Sequence, residues 1–353
     1  MTDTNPPTQP TRAAGTDRAR QGELLLEVED LQVEFHTKAG VAKAVNGVNY
    51  SLRAGETLAV LGESGSGKSV TAQAIMGILD TPPGRITGGQ VRFRGKDLLA
   101  MKESERRTYR GDKISMIFQD SLSALNPVFP VGAQIAEMFR VHRKMGKKEA
   151  TERAIELMDR VRIPAARERV NNYPHEFSGG MRQRIMIAMA IALDPEVLIA
   201  DEPTTALDVT VQAQVMELLE ELQREMNMGL ILITHDLGVV ADVADQIAVM
   251  YAGRIVEQAP ARDLYKAPAH PYTERLLASI PRVDQKGQKL TAIEGLPPML
   301  TNIPPGCAFN PRCPYAQDVC RTERPPLERF APERASACHF WKETLDGSQR
   351  AGI

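Results

Sequence analysis

No cysteine occurs in the first 306 of the chain's 353 residues. A disulfide framework through the main body is thereby excluded, and the four cysteines crowd between Cys307 and Cys338. An excess of charge of either sign is also missing, because 43 Lys plus Arg face 45 Asp plus Glu for a formal net charge of -2. That balance argues against a whole-molecule grip on nucleic acid or anionic lipid, while leaving room for local patches. Long apolar runs are absent. Ile185 to Leu193 spans nine residues, well short of the about 18 to 20 that cross a bilayer, so the chain is expected not to span a membrane. The opening MTDTNPPTQPTRAAGTDRARQG has no apolar core of a secretory signal, so a cytoplasmic address is expected, and structural disulfides are not. What is present is ordinary: 42% hydrophobic and 25% charged residues describe a soluble globular protein, long enough for roughly two domains.

Along the chain, residues 1 to 22 are rich in Thr, Pro, Gln and Arg without periodicity and are expected to form a disordered leader. LLLEVEDLQVEF and VAKAVNGVNYSL, parted by a turn at Ala39-Gly40, have strand character and lead to an apolar strand from Thr57 to Leu61. Beyond a glycine-rich turn, Val70, Ala74, Ile75 and Ile78 repeat at helical spacing until Pro82-Pro83-Gly84. GGQVRFRGKDL suggests a strand or hairpin. From about Pro127 the pattern becomes helical, with Ala150, Ala154, Leu157, Met158 and Val161 on one face, which marks a helical subdomain at about 127–190. Apolar strands return at Val197 to Ala200 and Leu230 to Thr234, separated by a helix capped at Asp208 that buries Val211, Val215, Leu218, Leu222 and Met226. This alternation implies a mostly parallel sheet covered on both faces. IAVMYAGRIVEQ predicts a hairpin, and prolines crowd in from about Pro260. The expected organisation is a main domain over 23–258 and a loop-rich extension over 259–353.

Two segments carry phosphate chemistry. Gly62-Glu63-Ser64-Gly65-Ser66-Gly67-Lys68-Ser69 follows a strand and precedes a helix, the context a P-loop requires. Gly62, Ser64, Gly65 and Gly67 let backbone N–H groups wrap phosphates, Lys68 reaches the β- and γ-phosphates, and the Ser69 hydroxyl ligates Mg²⁺. Val197 to Glu202 then brings two carboxylates to a strand end: Asp201 as a magnesium holder and Glu202 as the base for water. Further polar groups reach the same sheet edge. They are Gln119, in MIFQD, and His235, in LILITHD, residue types that on their own are more often structural or solvent-facing than catalytic. Ser178, Gly179 and Gly180 form a second anion-binding helix start before Ile185 to Leu193.

In this order and spacing the segments resemble an ATP-binding-cassette (ABC) nucleotide-binding domain over about residues 23–258: GESGSGKS as Walker A, Gln119 as Q-loop, FSGGM as signature, VLIADE as Walker B, Ala206-Leu207-Asp208 as D-loop, and His235 as switch histidine. The resemblance implies an α/β P-loop NTPase fold, with a RecA-like mixed sheet core, an antiparallel β subdomain and a helical subdomain. It implies ATP and Mg²⁺ as cofactors, and two cassettes meeting head to tail. Ser178, Gly179, Gly180 and Asp208 would then close over the partner's ATP. Phe35 matches the aromatic that stacks on adenine, and Met181 departs from the glutamine frequent at the fifth signature position without touching the Ser and Gly contacts. A soluble ABC ATPase of DNA repair or translation would usually carry two cassettes or a coiled-coil insert. A P-loop kinase would gain nothing from the FSGGM turn.

The spacing Cys307-x5-Cys313-x6-Cys320-x17-Cys338 offers four thiolates for a structural zinc or an iron-sulfur cluster, although the paired C-x2-C of zinc ribbons is absent. The tail, with AHPYT, EGLPPML and GCAFNPRCPYA, resembles the C-terminal extension of the ATP-binding subunits of oligopeptide and dipeptide permeases. That resemblance implies a 4Fe-4S cluster on the four cysteines and a motor for peptide import at the cytoplasmic face of the bacterial inner membrane. It implies as partners two transmembrane permeases, a second ATP-binding subunit in a heterodimer and an extracytoplasmic peptide-binding protein, and no nucleic acid. Related importers carry nickel, glutathione or other small solutes.

Overall fold

The computed structural model describes residues 22–120, 124–279 and 293–351; the predicted leader lies outside them apart from Gly22. In chain order the strands are β1 (Leu24–Thr37), β2 (Gly40–Arg53), β3 (Thr57–Leu61), β4 (Gly84–Phe93), β5 (Lys96–Asp97) and β6 (Ile114–Ile117). There follow β7 (Val197–Asp201), β8 (Gly229–Ile233), β9 (Gln246–Tyr251), β10 (Arg254–Pro260), β11 (Glu328–Ala331) and β12 (Arg334–Ser336).

They form two sheets. β2-β1-β4-β5 is antiparallel throughout. The second has the order β11-β12-β10-β9-β3-β8-β7-β6, parallel from β9 to β6 and antiparallel from β9 to β11. The sequences explain the difference. TLAVL, VLIAD and GLILI are continuous apolar runs buried at every position, as strands covered on both faces must be.

The helical segment forms as expected, with helices at Val131–His142, Lys147–Arg160 and Ala166–Arg169. Ala150, Ala154, Leu157, Met158 and Val161 are all buried. On Val209–Met226, Asp208 accepts from the Val211 N–H at 3.0 Å, which is the predicted cap, and Val215, Leu218 and Leu222 are buried. Val211 and Met226 are only partly so.

Two helix boundaries differ from expectation. The helix after the glycine turn is Lys68–Met76, and Gly77 ends it in the left-handed region at φ +67, with its N–H on Ala74 O. Ile78 therefore falls outside, and the helix ends well before the proline pair that the sequence offers as its stop. The other helix starts at Gly179 rather than Ile185, because the Ser178 hydroxyl accepts from the Met181 N–H.

The tail is built into the main sheet. β10 crosses the expected boundary at 258/259, β12 pairs with it, and β11 forms the edge. The fully buried Glu257 carboxylate accepts from the Ala269 N–H at 2.7 Å, and Ser336 Oγ donates to Ala269 O at 2.7 Å. Among the described residues no helix is long and apolar enough to cross a membrane.

Candidate functional site

β3 delivers the chain into the loop Gly62 to Ser69. At Gly62 (φ +152) and Gly67 (φ +107) a Cβ would sit 2.2 Å from the Met250 and Ala44 carbonyl oxygens respectively, so only glycine fits. Lys68, 6% exposed, donates from Nζ to Gly62 O at 2.8 Å and Glu63 O at 3.1 Å. Burial lowers its pKa, opposed by Glu202, Asp201 and Glu63. The ammonium is thus held by two backbone carbonyl oxygens of the loop at the start of the helix Lys68–Met76, where an anion finds backbone N–H groups and the positive helix end together.

Asp201 closes β7 beside this loop and is 4% exposed. Ser69 Oγ donates to Asp201 Oδ1 at 2.9 Å, and burial still raises the carboxyl pKa, with the Ser69 bond working against it. A hydroxyl and a buried carboxylate in contact are the oxygen donors that Mg²⁺ uses beside phosphates, so these residues fit that ion.

Next in sequence, Glu202 has a left-handed backbone at φ +46. Three side chains from separate segments converge on its carboxylate. Gln119 Nε2 donates to Oε2 at 2.8 Å, Thr205 Oγ1 donates to the same oxygen at 2.9 Å, and His235 Nδ1 lies 3.3 Å from Oε1. β6 and β8 carry Gln119 and His235 to this edge because both strands run parallel to β7. A carboxylate fixed at two points and flanked by an imidazole is oriented to take a proton from water.

These groups open on a cleft of about 320 Å³ lined by Phe35, Ala42, Ala44, Ser64, Gly65, Gly67, Lys68, Ser69, Val70, Gln119, Glu202 and Leu300. The residues Ser178, Gly179, Gly180 and Asp208 do not line it. They form a second patch, where a Cβ on Gly180 would lie 2.6 Å from Val211 Cγ1 and 3.8 Å separates the Gly179 position from Leu207.

Cys307, Cys313, Cys320 and Cys338 line one cavity with His270, Phe309 and Phe340. Gly306 (φ +69) makes this possible. A Cβ there would stand 2.4 Å from Cys320 O, the carbonyl to which Cys307 N–H donates at 2.8 Å. His270, 1% exposed, accepts at Nδ1 from the Tyr272 N–H at 3.0 Å. Burial lowers its pKa to about 3, so the ring is neutral. The thiols are spread around the cavity: among the described residues no three His, Cys, Asp or Glu side chains close on a single ion.

Comparison with known proteins agrees with this geometry. The family model described as ABC transporter matches residues 45–205, and the one described as oligopeptide/dipeptide transporter, C-terminal region, matches residues 256–320. An oligopeptide transport ATP-binding protein of Salmonella typhimurium is 54% identical over 323 residues, covering 92% of this chain and 96% of the relative. The chain belongs to the family of oligopeptide and dipeptide transport ATP-binding proteins. A dipeptide transport ATP-binding protein of Bacillus subtilis is 52% identical over 298 residues, 84% of this chain and 89% of the relative. Among solved structures, a dimeric ATP-binding cassette in a post-hydrolysis state with ADP and Pi aligns at a TM-score of 0.61 and 25% identity, covering 67% of this chain and 99% of that one.

In this transport ATP-binding protein the structure adds site residues that motif logic missed. Thr205 steadies Glu202, and Leu300 enters the cleft from the tail, its carbonyl accepting from the Lys43 N–H at 3.2 Å. Thr205 could have been found from its place three residues beyond Glu202. Nothing near Leu300 in the sequence announces it.

Proposed function

We propose that the chain is the ATP-hydrolysing motor subunit of a bacterial ABC importer, coupling ATP binding and hydrolysis to uptake of di- and oligopeptides through partner permeases. The observation that carries this is one cleft lined by Lys68, Ser69, Gln119 and Glu202, with Asp201 bonded to Ser69 and His235 beside Glu202, in a chain whose likeness to peptide transport proteins continues through the extension.

The chemistry follows from position. Phe35 stacks on the adenine, Gly62, Ser64, Gly65 and Gly67 receive the phosphates, and Lys68 neutralises the β- and γ-oxygens. Ser69, Asp201 and Gln119 would hold Mg²⁺, which would supply charge neutralisation to the phosphates. Glu202, steadied by Gln119 and Thr205, orients the attacking water and takes its proton, and His235 contacts the γ-phosphate. Ser178, Gly179, Gly180 and Asp208, lying off the cleft, serve the nucleotide of a second ATP-binding subunit in a heterodimer. Two transmembrane permeases and an extracytoplasmic peptide-binding protein complete the assembly, with this chain at the cytoplasmic face of the bacterial inner membrane and no nucleic acid. The test is reconstitution with co-isolated permeases and the binding protein. Peptides are expected to stimulate ATP hydrolysis; stimulation only by nickel or glutathione would reassign the cargo, and stimulation by nucleic acid would reject transport.

The domain reading is a cassette over 23–258, with a helical subdomain at about 127–190, and an iron-sulfur extension over 259–353. Four thiols around one cavity are the donor set an iron-sulfur cluster takes, so a 4Fe-4S cluster on Cys307, Cys313, Cys320 and Cys338 is the favoured occupant and zinc the alternative. Protein purified without oxygen is expected to be brown, with iron and acid-labile sulfide in equal amounts. A colourless preparation with stoichiometric zinc would reverse the choice.

A further inference from the structure

The cysteine module reaches back to the phosphate loop at Glu63. Arg312 stands on a short 3-10 turn, Asn310–Arg312, between Cys307 and Cys313. Its Nη1 donates to Glu63 Oε2 at 2.6 Å and its Nη2 to Oε1 at 2.9 Å, the parallel fork that only a guanidinium offers a carboxylate. The Arg312 side chain is 5% exposed. Tyr251 and Phe309 lie 5.9 and 6.0 Å from the guanidinium carbon, and Nε donates to Glu294 O at 3.0 Å.

Glu63 is held at its backbone as well. Its N–H donates to the hydroxyl of Tyr272, another tail residue, at 2.9 Å. Its carbonyl in turn accepts from Lys68 Nζ at 3.1 Å. The tail therefore grips both ends of a residue that itself touches the phosphate-binding lysine. A contact serving only to dock the extension would not need to fall inside the phosphate loop.

We propose that Arg312 is a positioning residue for ATP binding: acting through Glu63, it holds the phosphate loop in the shape that receives the triphosphate and makes nucleotide affinity depend on the C-terminal module. This rests on the cleft being the ATP site. The test is a double-mutant cycle on the full chain, read by titration with fluorescent MgATP. Arg312→Ala is expected to weaken binding about tenfold, the scale of a lost charged hydrogen bond. Arg312→Lys, which keeps the charge and loses the fork, should fall between. In a Glu63→Ala background, Arg312→Ala should add no further loss.

In the assembled transporter, Arg312→Ala should raise KM for ATP with kcat at saturating ATP retained. No loss of affinity, or the same loss in both backgrounds, would overturn the proposal. Should Arg312→Ala fail to fold, the cycle runs with Arg312→Lys and Glu63→Gln on the same criteria. Lys68→Ala separates the two claims. If it binds nucleotide normally, the cleft assignment fails; if it loses binding while Arg312→Ala does not, only the Arg312 proposal fails.

Discussion

Glu202→Gln is expected to lower ATP turnover by about 10²- to 10⁴-fold, the usual contribution of a positioned general base, while MgATP binding stays near normal. The amide keeps the size of the carboxylate but cannot take a proton from water. Binding is spared for an electrostatic reason. Glu202 is one of the charges that raise the pKa of neighbouring Asp201, and its removal also takes a negative charge away from the γ-phosphate region. Phosphate release in the assembled transporter and equilibrium nucleotide titration measure the two halves of the expectation. Turnover close to wild type would assign the proton transfer elsewhere.

Phe309→Ala is expected to destabilise the protein by about 3–5 kcal/mol, the range for emptying a buried aromatic position. The ring is 1% exposed and lies 5.4 Å from both Tyr251 and Tyr272, centroid to centroid, while also lining the cysteine cavity. Phe118→Ala serves as the contrast, because that ring is 43% exposed and its loss should change stability by no more than about 0.5 kcal/mol. Urea denaturation of the two variants reads the difference. Equal midpoints would mean that the tail does not pack against the cassette as described.

What could be read from the sequence was what is local in it. The phosphate loop occupies eight consecutive residues, and the strand before it and the helix after it are their own signals. VLIAD and GLILI announce buried strands, and Asp208 before an amphipathic run announces a cap. The misplaced end of the helix Lys68–Met76 shows the other side. Its last carbonyls are satisfied by side chains far along the chain: Arg106 donates to Ala74 O at 2.8 Å, and Arg110 donates to Met76 O at 2.7 Å and Gly77 O at 2.6 Å. With those partners the helix stops at Gly77, a left-handed glycine cap that is itself a local stop signal and that the apolar spacing through Ile78 outweighed. β11 and β12 escaped notice because strands of four and three residues are too short to show alternation. The grip of Arg312 on Glu63 has no local correlate at all.

That grip joins residues 249 positions apart, and the distance matters in time as well as in space. At a synthesis rate of about 5–20 residues per second, the ribosome adds Arg312 about 12–50 s after Glu63. For that interval the growing chain carries its glycine loop and its lysine without the arginine that holds them. A chain cut short before residue 312 would lack the arginine that contacts Glu63 in the phosphate loop.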